Sequence, residues 1–78
     1  MAVTAADLKV AFAPAIPADV LDKLDSSKPM LEQGVDSLAL TAMAVALQNV
    51  YGIQLTVEDG LTLKTLDDVA AFVNRRTA

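Results

Sequence analysis

The stretch GVDSLALTAMAVALQNVYG, from Gly34 to Gly52, decides how this chain is read. After Asp36 there is no Asp, Glu, Lys or Arg until Glu58, although both flanks carry charge freely. Asp36 is a good N-cap for a helix that begins at Ser37, and Gly52 after Tyr51 is a natural stop. At about 100° per residue the side chains of that helix fall into two stripes. Leu40, Met43, Ala44, Leu47, Val50 and Tyr51 share one side, with the composition of a core. Leu38, Thr41, Ala42, Val45 and Asn49 share the other. This second stripe is either buried because the helix is central, or left as a mild uncharged surface on which partners dock. Docking is favoured, since a short chain has little material with which to bury a second stripe.

Outward from this helix, the flanks supply two more. Thr4-Ala5-Ala6-Asp7 forms a capping box that opens a first helix with Leu8, Ala11 and Phe12 on one face, Asp7 and Lys9 toward water, and Pro14 at its end. AIPADVLDKLDSSKP, residues 15–29, is a long, partly helical connection with a turn over Val20, Leu21 and Leu24. A connection of that length is expected to cross from one end of the domain to the other. IQLTVEDGLTLK, residues 53–64, has β-branched residues but also Gly60 and no partner strand, and reads as a loop with a helical turn near Glu58. Thr65-Leu66-Asp67-Asp68 repeats the capping box ahead of a last helix that packs Leu66, Val69, Ala70, Phe72 and Val73. Arg75 and Arg76 close it, where cations complement the dipole. The fold class is all-α, a small antiparallel bundle of three main helices plus a short helix before the last one, with residues 1–78 as a single domain.

Composition removes several function classes. A hydrophobic share of 54% excludes a disordered acidic tail. The absence of Cys and His removes disulfides, thiolate zinc sites, cysteine nucleophiles and imidazole proton transfer, so no enzyme activity is expected. A net charge of −4 argues against nucleic acid, whose phosphates reward Lys and Arg. MAVTAADLK lacks the basic start and apolar core of a secretion signal, which places the protein in the cytoplasm. Thr41, Gln48, Asn49, Gly52, Gln54 and Thr56 interrupt the uncharged run, so no membrane span is expected. Asp67-Asp68, Glu58-Asp59 and the Asp19, Asp22, Asp25 series read as solvated or capping charge, and no metal site is expected.

Ser37 alone reads most economically as a first-turn residue. Its context adds Gly34 for a tight approach, Asp36 as cap and Leu38 at the mouth of the bundle. Here the chain resembles the acyl carrier proteins, which bear a 4'-phosphopantetheine arm on the serine of a D-S-L motif. The resemblance runs through L-E-Q-G-V-D-S-L, a helix ending in V-Y-G-I, then V-E-D and the capped T-L-D-D-V-A-A-F-V. It implies that Ser37 is the attachment site, loaded from coenzyme A by a separate phosphopantetheinyl transferase, and that acyl groups ride as thioesters on the arm. It also implies partner enzymes, an acyltransferase, ketosynthase or ligase, reading Asp36, Leu38, Thr41, Ala42 and Val45 on a monomer. Family members of primary fatty acid synthesis have acidic residues on this helix, where Ala39, Ala42, Gln48 and Asn49 stand here. That departure points to a specialised fatty acid or polyketide-type pathway. A peptidyl or aminoacyl carrier with the same arm, and a non-covalent helical interaction module, are the alternatives.

Overall fold

Threonine-aspartate boxes start three of the helices. In the computed structural model, which describes residues 2–13 and 15–77 and all their side chains except those of Val57 and Leu61, helix α1 spans Ala5–Phe12. The Thr4 hydroxyl accepts the Asp7 N–H at 3.2 Å while the Asp7 carboxylate accepts the Thr4 N–H at 3.0 Å. Helix α2 is the six residues Ala18–Lys23, a 3-10 turn covers Met30–Gln33, and α3 is the uncharged Ser37–Tyr51. A second box, Thr56 with Asp59, opens α4 (Val57–Thr62), and a third, Thr65 with Asp68, opens α5 (Leu66–Thr77). The expected all-α bundle with a short helix before the last one is therefore what forms. The role expected of Pro14 lies outside the described residues.

Direction follows from which ends meet. Val3 and Asp7 share a shallow groove with Val50 and Tyr51 at the end of α3, while Ala15, just past α1, shares another with Ala42 near its start. At the Tyr51 end, Asn74 of α5 accepts the Val3 N–H at 2.6 Å and donates to the Val3 carbonyl at 3.0 Å. Helix α1 thus runs antiparallel to both α3 and α5.

That arrangement corrects the expectation for the long connection. It leaves α1 and enters α3 at the same end, so it closes that end rather than crossing the bundle. Ile16, Leu21, Leu24, Met30 and Val35 are all buried along it and fill the gap between helices. Backbone bonds hold it to the start of α5: Met30 N–H donates to the Lys64 carbonyl at 2.9 Å and Asp67 N–H to the Ser26 carbonyl at 3.0 Å. The crossing is made instead by residues 52–65, which carry α4. Among the described residues no helix is long and apolar enough to cross a membrane.

The core combines Leu8 and Phe12 of α1, Met43, Ala46 and Leu47 of α3, and Leu66, Val69, Ala70, Phe72 and Val73 of α5. Every α5 residue expected to pack is buried. Two expectations fail. Val50 is not core but 56% exposed, because the residues facing it across the grooves include Ala2, Ala11 and Ala15, too small to cover it. Lys9 does not simply face water: it is half-buried and its Nζ donates to the Leu24 carbonyl at 2.9 Å, tying α1 to the connection.

Candidate functional site

Ser37 is presented by an anchor immediately before it. The 3-10 turn ends at Gly34, whose φ of 87° is the left-handed conformation that favours glycine. A side chain there would meet nothing within 4 Å, so the backbone angle, not the close approach expected from sequence, is what calls for glycine. The turn aims Val35 into the core, where it is buried, and the Val35 N–H closes on the Met30 carbonyl at 3.3 Å. With Val35 held, Asp36 and Ser37 emerge at the surface, both exposed. Gln33 stiffens the same platform. Its Nε2 donates to the carbonyls of Asp25 (2.9 Å) and Lys28 (3.0 Å), and its Oε1 accepts the Asp25 N–H at 2.6 Å. Neither Val35 nor Gln33 stands out in the sequence, since their partners come from the turn and the connection rather than from any periodic pattern.

Asp36 is the N-cap, its carboxylate accepting the Ala39 N–H at 2.8 Å. Ser37 is the first residue of α3, and its hydroxyl has no hydrogen-bond partner among the described residues. The other serines are occupied differently. Ser27 donates both N–H (2.9 Å) and Oγ (2.7 Å) to the Asp25 carboxylate, and that hydroxyl is the main cause holding the Asp25 carboxyl below its ordinary pKa. Ser26 is half-buried, its carbonyl taken by Asp67.

Down the outer face of α3, Leu38 is 80% exposed and Val45 52%, with Thr41, Gln48 and Asn49 also exposed. Ala42 is half-buried and borders a groove with Ala11, Ala15, Val45 and Ala46, so it sits at the edge of this face. Leu31, exposed in the 3-10 turn, adds an apolar side chain that the helical pattern did not point to. The opposite stripe is not closed either. Leu40 and Ala44 are half-buried because α4 stands off α3 and leaves an apolar cleft of about 480 Å³. Phe12, Met30, Met43, Leu47, Leu55 and Val69 are among its lining. Thr41 lines it as well, and Thr41 Oγ1 donates to the Ser37 carbonyl at 2.9 Å. The cleft therefore reaches within one helical turn of Ser37.

A sequence profile of the phosphopantetheine attachment site family matches residues 6–73. The chain belongs to that family. Comparison with curated proteins and with solved structures found no match. Membership in this carrier family implies a covalently attached 4'-phosphopantetheine and interaction with a phosphopantetheinyl transferase and biosynthetic enzymes. The residues present suit such a group. An exposed hydroxyl at the first position of α3 places a phosphodiester at a helix N-terminus, where unpaired N–H groups and the macrodipole favour an anion.

Proposed function

We propose that the chain is an acyl carrier protein whose Ser37 hydroxyl takes the arm. The observation that carries this reading is the exposed, unengaged Ser37 oxygen held at the start of α3 behind the buried Val35. In the loading step Ser37 Oγ forms a bond to the phosphorus that bears pantetheine in coenzyme A. The phosphoanhydride bond breaks, the serine proton passes to a base of the transferase, and adenosine 3',5'-bisphosphate leaves. Once attached, the arm supplies the thiol on which acyl groups are carried as thioesters, chemistry a chain without cysteine does not otherwise possess. The protein's own part is to present and to be recognised; the reactions are done by partners.

Asp36 keeps the first turn of α3 formed and offers the transferase a negative charge. Leu38, Thr41 and Val45, with Ala42 at the border, form the surface read by an acyltransferase, ketosynthase or ligase. The absence of charge on α3 supports recognition by shape and apolar contact, and with it a specialised fatty acid or polyketide-type pathway rather than general fatty acid synthesis. The reading places the protein in the cytoplasm as a monomer. A peptidyl or aminoacyl cargo would use the same serine, but the apolar lining of the cleft supports an acyl chain. Incubation with coenzyme A and a broad-specificity transferase is expected to raise the intact mass by one arm. A wild-type mass that does not change would end the carrier reading.

A further inference from the structure

Gly60 is a glycine that neither the backbone nor the packing requires. It lies inside α4, its φ is not in the left-handed region, and a Cβ built on it would meet nothing within 4 Å. Glycine within a helix is nevertheless the least favourable choice short of proline. What distinguishes the position is its place. Thr56, Gly60 and Leu63 recur at i, i+4 and i+7, so they share one face of α4, and all three line the apolar cleft. A side chain at residue 60 would project into that opening. The facing wall, on α3, also has a small residue, Ala44, between Leu40 and Leu47.

We propose that Gly60 is a specificity-determining residue, whose missing side chain, with Ala44 on the other wall, sets the length of acyl chain that the cleft shelters. This rests on the reading of Ser37 as the arm-bearing residue. A chain tethered at Ser37 is confined near the cleft mouth at Thr41, so even weak intrinsic affinity gives substantial occupancy. Occupancy of the folded state alone raises its apparent stability, which makes melting temperature the readout. The glycine is thus retained at the expense of helix stability for the space it leaves.

The experiment loads wild type, Gly60→Ala, Gly60→Leu and Ala44→Leu with butanoyl or dodecanoyl arms, using the corresponding acyl-coenzyme A and a transferase, and measures melting of loaded and unloaded forms. Unloaded Gly60→Ala is expected to melt higher than wild type. Dodecanoyl loading is expected to raise the wild-type melting temperature more than butanoyl loading. In Gly60→Leu and Ala44→Leu the dodecanoyl increment should shrink to the butanoyl level. A lower melting temperature for unloaded Gly60→Ala would show the glycine to serve the fold and overturn the proposal. So would a full dodecanoyl increment in a folded Leu variant, with Ala44→Leu deciding if Gly60→Leu does not fold. Intact mass separates these outcomes from failure of the carrier reading, in which no arm is added at all.

Discussion

Asp36 holds two roles that substitutions can separate. Its carboxylate caps α3 through the Ala39 N–H, so Asp36→Ala should cost about 1 kcal/mol in denaturant unfolding. Asp36→Asn keeps a capping oxygen and should change stability little, yet it removes the charge offered to the transferase. Slower arm attachment by Asp36→Asn at unchanged stability is the expected result; equal rates would assign Asp36 to capping alone. The Asp-Ser pair was legible in the sequence because N-cap chemistry is local, decided by an oxygen and an amide three residues on. Val35 was not. Its burial depends on the Gly34 turn and on Met30, and nothing in the letters G-V-D-S marks which side chain turns inward.

The helices differ in how they are secured. Leu47 lies fully in the core on α3, and Leu47→Ala should lose roughly 2 to 5 kcal/mol, read from the shift of a denaturant melt. Helix α4 is held by smaller means. The Asp59 carboxylate accepts the Thr56 N–H at 3.1 Å and lies 3.8 Å from Arg76 Nη2, whose guanidinium also stacks 4.7 Å from the centre of the Phe72 ring. The Thr56 N–H is the main cause of an Asp59 pKa below the ordinary value, with Arg76 a lesser one. A depressed carboxylate stabilises the fold fully above its unfolded pKa, and the contribution is lost as pH falls through the folded one. Stability should therefore decline on acidification below the ordinary carboxylate range, and Asp59→Asn should flatten part of that slope in denaturant midpoints measured across pH. The box that opens α4 has the same Thr-x-x-Asp letters as the other two. It was passed over as a helix start because β-branched residues and Gly60 surround it, whereas Thr4 and Thr65 are followed by clear helical periodicity.

At the scale of the whole molecule, the two stripes of α3 face different tasks, and the sequence separated them well except at Val50, whose exposure follows from the small residues opposite. The route of the long connection was not legible, because chain length says nothing about which end of a bundle a segment closes; its buried Ile16, Leu24 and Met30 do. If α3 is read through Leu38, Thr41 and Val45, dissociation of the loaded protein from its cognate acyltransferase or ketosynthase should change little with salt, since those side chains have no charge to screen. Val45→Glu should impair that transfer while leaving arm attachment largely intact; a steep salt dependence with normal transfer would move recognition to the acidic loops. The central claim concerns one oxygen atom, and locating the modification tests it most directly. After incubation with coenzyme A and transferase, fragment-ion mass spectrometry should place a single arm on Ser37, and Ser37→Ala, shown to be folded, should gain none. An arm on Ser26 or Ser27, or an unchanged mass gain in Ser37→Ala, would contradict the account.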